Sequence, residues 1–183
     1  MFHLIELYNI DIPYLDYPNE MGDLARAAQA FKETGEALKE NNWIKEHVAA
    51  LSNRLQSANN LDNFTQTVLS GFSESIDCCA ASFYQHLPQE HSLQLIQSYA
   101  VNIASDQQRI ILGENLLGQC ALEQKSQLIK HIPNEYIELS SSLGAAKPEY
   151  LYIAPICLQE HLLGVYELAF FRHPTEMELL LLE

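Results

Sequence analysis

From Met21 onward, apolar or small residues fall at Leu24, Ala28, Phe31, Gly35 and Leu38, spaced 4, 3, 4, 3. That spacing is the seam of a helix lying along a partner helix. A second seam, Ile44, Val48, Leu51, Leu55 and Ala58, repeats it, but the step from Leu38 to Ile44 is six residues, one short of a heptad. The two seams are therefore out of phase. The break falls at Asn41, Asn42 and Trp43 and demands either local overwinding or a change of partner. One helix from Asp23 to Ile76 would reach ~80 Å, a length suited to a rod between domains. Asn59 and Asn60 interrupt the pattern, so a separate helix is expected from Leu61 to about Ile76.

After Asp77 the period becomes strand-like. Ala80 to His86 and Leu93 to Val101, separated by Pro88, Gln89 and Glu90, predict a hairpin, and Arg109 to Leu112 a short third strand closed by Gly113. Asn115 to Gln124 has helical composition, Ser126 to Lys130 is extended, Pro133 to Leu139 reads as a helical turn, and Ser140 to Pro148 as a small polar loop. Tyr150 to Leu158 and Leu162 to Phe171 are strands joined by the turn Gln159, Glu160, His161; Pro174 and Thr175 then open a final helix. The order predicts an α+β fold, a central antiparallel sheet flanked by helices and preceded by a long coiled-coil-like helix.

Hydrophobic residues make up 48% and charged residues 19% of the 183, a globular composition that excludes a disordered chain. A net charge of −14 repels phosphate backbones and argues against nucleic acid as a partner. The four cysteines, Cys78, Cys79, Cys120 and Cys157, form no CxxC pair and read as reduced, buried thiols. No apolar run reaches the ~18–20 residues of a membrane-spanning helix. The abrupt start in Phe2 to Leu7 and the barely begun helical pattern at Leu181, Leu182 and Glu183 suggest a section of a longer protein, with the final Leu-Glu resembling the scar of a purification tag.

The run Gly113-Glu114-Asn115-Leu116-Leu117-Gly118-Gln119-Cys120-Ala121, then Pro133-Asn134-Glu135-Tyr136, the Ser140 to Gly144 loop, Tyr152-Ile153-Ala154-Pro155-Ile156 and Leu163-Gly164-Val165-Tyr166-Glu167-Leu168 together resemble the GAF domains of bacterial sensor kinases. Upstream, Ile12-Pro13 and Asn19-Glu20-Met21-Gly22-Asp23-Leu24-Ala25 resemble the connector and second helix of a HAMP domain. The resemblance implies a partial HAMP-like segment over 1–40, a signalling helix over 41–60, a GAF domain over 61–178 and the start of an output helix over 179–183. It further implies the cytoplasmic portion of an inner-membrane, often hybrid, histidine kinase. That portion would be dimeric through Leu24, Ala28, Phe31, Leu38, Ile44, Val48, Leu51 and Leu55, and would reach the membrane only through upstream segments. No kinase core is present in the chain, so the section itself is expected to relay a signal without catalysis.

GAF folds that bind ligands hold them between the sheet and the crossover, which by resemblance points to the stretch from Leu116 to Gly144. The candidate ligand contacts are Tyr99, Leu116, Gln119, Cys120, His131, Tyr136, Ser140 and Ser142, with Ser141 beside them, for an unidentified small molecule; no cofactor is identified. A collapsed pocket filled by the chain's own side chains is the competing account. Cys120, in the presumed first turns of a helix, is where a dipole would lower a thiol pKa and support a methionine sulfoxide reductase. Its neighbours Leu116, Leu117 and Ala121 instead favour a small buried hydrophobe. Bilin attachment through Cys-His and the Asn-Lys, Phe, Asp-Glu signature of cyclic-nucleotide GAF domains are both absent. His47 sits beside the seam, where a solvated histidine is ordinary, and no histidines occur at metal-ligand spacing, so no metal site is expected. A ligand-free dimerisation spacer is the third reading.

Overall fold

The computed structural model describes residues 11–56, 58–132, 136–137, 139–142 and 144–182. Two compact units divide the chain, one reaching Ala49 and the other spanning Ala50–Leu182.

In the first unit, a turn from Tyr14 to Tyr17 precedes helix α1, Glu20–Leu55, whose C-terminal residues belong to the second unit. The Asn19 carboxamide oxygen accepts from the backbone N–H of Met21 (3.1 Å) and Gly22 (3.2 Å), satisfying donors that a helix start leaves open. The Arg26 guanidinium donates to the Leu15 carbonyl at 2.8 Å and pairs with Asp23, fastening the turn to the first helical turns. The helix runs unbroken through Asn41, Asn42 and Trp43. His47 stacks on Trp43 with ring centroids 3.9 Å apart, and its Nδ1 lies 2.8 Å from the Trp43 carbonyl.

In the second unit, Asn60 caps α2, Leu61–Ile76, by accepting from the Asn63 N–H at 2.7 Å, and Asp77 ends it in a left-handed conformation. This is the interruption expected at Asn59 and Asn60. Leu51 reaches α2 at Gly71, where an added Cβ would stand 2.6 Å from the leucine methyl, and Arg54 pairs with Glu74. Leu51 of the second seam thus has a partner in its own chain.

Strands β1 (Ala80–Leu87), β2 (Ser92–Tyr99) and β3 (Arg109–Ile111) form a meander, followed by helix α3 (Asn115–Glu123) and strand β4 (Gln127–Lys130). The short pair β5 (Leu139–Ser141) and β6 (Gly144–Ala146) comes next, then β7 (Tyr150–Leu158), β8 (His161–Phe170) and α4 (Glu176–Leu182). Six strands make one antiparallel sheet ordered β3-β2-β1-β8-β7-β4. Gln159 and Glu160, both at positive φ, turn β7 into β8, as a two-residue hairpin loop requires. Two expectations change. The Ser140 to Pro148 loop contains the β5–β6 pair, and the helical turn placed on Pro133 to Leu139 lies largely outside the described residues, with Leu139 itself opening β5.

The central strands are covered on both faces. Tyr166 of β8 packs on Phe72 of α2, ring centroids 5.6 Å apart, while Val165 joins Tyr84, Leu93, Ile110, Leu117, Cys120 and Ile153 in the core beneath α3. Helix α4 opens with a capping box: the Glu178 N–H donates to Thr175 Oγ1 (3.2 Å) and the Thr175 N–H to Glu178 Oε2 (2.7 Å). Arg172 grips the same carboxylate with two nitrogens. Thr175→Ala is expected to lower stability by about 1 kcal/mol, read as a fall in the urea midpoint at unchanged slope.

Candidate ligand-binding site

Strand β8 carries one carboxylate in an otherwise apolar central run, Leu162-Leu163-Gly164-Val165-Tyr166-Glu167-Leu168-Ala169-Phe170. Alternation sends Tyr166, Leu168 and Phe170 to one face of the sheet and Val165, Glu167 and Ala169 to the other. In register, Glu167 lies between Ser82 of β1 and Ile153 of β7. It is buried. Its Oε1 accepts from the Tyr136 hydroxyl at 3.0 Å and its Oε2 from the Ser82 hydroxyl at 3.4 Å.

The carboxylate borders a cavity of about 250 Å³ between the sheet, the start of α3 and the segment after Tyr99. Tyr84, Ile110, Leu117, Val101, Ile103 and Ile137 form its apolar walls, and Asn102, Gln107, Asn115 and Tyr136 add polar groups. Asn115, at φ 54°, bends the chain into α3 and accepts from the N–H groups of Leu117 and Gly118 at 3.0 and 3.1 Å. Gly118 lets α3 settle against β3, since a Cβ there would lie 2.4 Å from the Ile111 carbonyl oxygen. That close seat carries Leu117 into the cavity wall. The Tyr84 hydroxyl donates to the Gln107 carbonyl at 3.1 Å, tying the sheet to the segment that follows β2.

Burial holds the Glu167 carboxyl above its usual range, against the lowering influence of the Tyr136 and Ser82 hydrogen bonds. Burial, then the adjacent Glu167 charge, pushes both tyrosine phenols up. A carboxyl whose folded pKa exceeds its unfolded value adds stability below the unfolded pKa, and that contribution is lost as pH rises through the folded value. Glu167→Gln removes this dependence. The variant is therefore expected to gain thermal stability relative to the native chain as pH rises from about 4 to about 8, checked by melting curves across that range.

Of the eight candidate contacts, Tyr136 lines this cavity among the described residues. Tyr99, the last residue of β2, lies instead in a surface groove beside α2. Leu116 packs half-buried against the core beneath α3, and Gln119 turns outward to hydrogen-bond Glu123 one helical turn on. His131, at φ 56° just after β4, borders a separate groove with Lys130 and Tyr150. Ser140 and Ser142 are exposed on β5 and the turn that follows, and Ser141 lies in β5 between them. Cys120 is fully buried, its thiol donating to the Lys125 carbonyl at 3.2 Å. Burial pushes that thiol up to about 11, the reverse of the lowering expected from a helix N-terminus, because Cys120 sits beyond the first turn. Cys78 and Cys79 are raised to about 12 and about 11, again by burial first. Of the thiols expected to be buried, Cys157 is exposed. No three His, Cys, Asp or Glu side chains gather as a metal site among the described residues.

Sequence reasoning missed Glu167. The available signal was a lone carboxylate amid a strand whose apolar residues occupy both faces, a position where an unpaired charge is rare.

No family model matches the chain, and no curated protein matches it. Solved structures do. The GAF domain of a phosphoenolpyruvate-protein phosphotransferase from Coxiella burnetii superposes with a TM-score of 0.63 at 19% identity, covering 76% of this chain and 85% of that one. The free methionine-R-sulfoxide reductase of Neisseria meningitidis, solved with its substrate, gives 0.60 at 14% identity, covering 76% and 81%. Residues 122 to 287 of a methyl-accepting chemotaxis protein give 0.54 at 14% identity, covering 70% and 85%. With six antiparallel strands, helices on both faces and these structural neighbours, the chain has the GAF fold.

Proposed function

We propose that the chain is a non-catalytic sensory and relay module, the HAMP-to-GAF section of a dimeric membrane-bound histidine kinase, that binds a small molecule beside Glu167. The observation that carries the ligand-binding role is the cavity around a buried carboxylate, apolar-walled with a few convergent polar groups, as small-molecule sites are. The route outward is short. Tyr166, the residue next to Glu167, faces the opposite side of the sheet, where its ring meets Phe72 and its hydroxyl donates to the Leu182 carbonyl of α4 at 2.8 Å. A shift of β8 on one face therefore reaches two helices on the other. Dimerisation through α1 is supported by the bare apolar residues Leu24, Phe31, Leu38 and Val48. Among the described residues no helix is long and apolar enough to cross a membrane, so the kinase and membrane setting rests on the sequence resemblance.

A thermal-shift screen of metabolites tests the ligand role. Compounds that raise the native melting temperature are expected to have that effect weakened in Ile103→Trp, which narrows the cavity; hits unaffected by this variant would count against the site.

The second reading, a cysteine-dependent sulfoxide reductase, draws on the Neisseria enzyme's shared fold. It requires an accessible thiolate, whereas Cys120 is buried with a raised pKa. Methionine sulfoxide is accordingly expected to show no turnover, and Cys120→Ser no change; turnover lost in Cys120→Ser would establish the enzyme.

A further inference from the structure

The Glu167 carboxylate offers about four lone-pair positions. Two meet hydroxyl donors, Tyr136 at 3.0 Å and Ser82 at a long 3.4 Å. Both donors are neutral, and none of the described residues that line the cavity is Lys, Arg or His. With only neutral partners, burial favours the protonated carboxyl, and a cation within contact is what would hold it ionised. The wall opposite is aliphatic and aromatic, from Tyr84, Val101, Ile103, Ile110 and Leu117. At about 250 Å³ the cavity lies below the ~300–1,000 Å³ usual for drug-sized ligands, which favours a small occupant. The net charge of −14 draws cations toward the protein and repels anions.

We infer that this cavity takes a small organic cation, a primary ammonium or amidinium on a short apolar body, with Glu167 as its counter-ion; the inference rests on the ligand-binding role proposed above. The ammonium donates to the free lone pairs of Glu167 while the body lies against Val101, Ile103 and Leu117. A carboxylate or phosphate ligand of the same shape brings no positive charge to hold Glu167 ionised and adds a second buried anion beside it, so it is disfavoured.

Three molecules of one shape and different charge decide the matter: isoamylamine, isoamyl alcohol and isovalerate, titrated into the full chain and followed through its amide NMR spectrum and by calorimetry. Isoamylamine is expected to bind at least about tenfold more tightly than the alcohol, the scale of one charge-assisted hydrogen bond, with isovalerate giving no saturable shift. Glu167→Gln is expected to erase that preference while leaving the alcohol's affinity in place; the ranking in the native chain decides alone if this variant does not fold. Equal affinity for alcohol and amine, binding of isovalerate, or full amine affinity in Glu167→Gln would overturn the cation while leaving the cavity a ligand site. If none of the three binds and the metabolite screen finds no compound sensitive to Ile103→Trp, the ligand-binding role falls, and this inference with it.

Discussion

Phe170→Ala is expected to cost about 3–5 kcal/mol of unfolding free energy, the range for emptying a fully buried aromatic site. Phe170 ends β8 with none of its surface exposed, and its backbone continues the sheet by pairing with Tyr150 and accepting from the Glu149 N–H at 2.9 Å. Neighbours held in two hydrogen-bonded strands cannot collapse into the space the ring leaves, so both the transfer and the cavity costs apply. Against a domain stability of about 5–15 kcal/mol, the loss takes a large share of the total. Urea unfolding measures it as a lower midpoint at unchanged slope; a loss under about 1 kcal/mol would contradict the packing described for β8.

The second large effect concerns association. Leu24 is 68% and Phe31 83% exposed in the single chain, on a helix whose other seam residues Leu38 and Val48 are also bare. Burying a side chain of this size is worth about 1.5–3 kcal/mol, and a symmetric pair of helices buries each one twice. In the proposed dimer, a chain carrying both Leu24→Asp and Phe31→Asp would lose those contacts and gain like charges between the paired helices. Its dimer dissociation constant is expected to rise at least about a hundredfold, measured by light scattering over a dilution series. Leu51→Asp is expected to act differently. Because Leu51 meets Gly71 of α2, its replacement lowers the unfolding midpoint of the second unit.

Where elements follow from neighbouring residues, the sequence was readable. Asn60 caps α2 with its own side chain, so the helix expected from Leu61 starts where one residue's chemistry puts it. The β7–β8 hairpin was equally plain, from two long apolar runs around a short polar turn. The β5–β6 pair was not, since Leu-Ser-Ser and Gly-Ala-Ala lack the β-branched and aromatic residues that mark strands.

The candidate site was largely illegible for a different reason. Glu167 gains its setting from Tyr136 and Ser82, 31 and 85 residues away, and only the folded chain brings the three together. Selecting polar residues along the crossover found Tyr136 but also took in Gln119, His131 and Ser140. Their side chains sit on the outer side of a helix, after an edge strand and on a short outer pair, positions that local polarity cannot distinguish from a cavity wall. Cys120 shows burial prevailing over a local electrostatic argument: the helix dipole acts within the first turn, and the thiol lies beyond it in the core.

Whether two copies pair in parallel along α1 is the point on which the relay turns, and oxidative cross-linking tests it most directly. With Cys157 replaced by Ser to remove the exposed native thiol, Leu38→Cys places one sulfur at the seam of each chain. Parallel, in-register helices bring the two Cα atoms within the ~4.4–6.8 Å that a disulfide spans, whereas Glu40→Cys on the outer side of the helix does not. A reducible species of twice the 20.8 kDa chain mass is expected for Leu38→Cys and little for Glu40→Cys. A single-chain band for Leu38→Cys under oxidising conditions, or equal cross-linking at both positions, would rule out the parallel pairing.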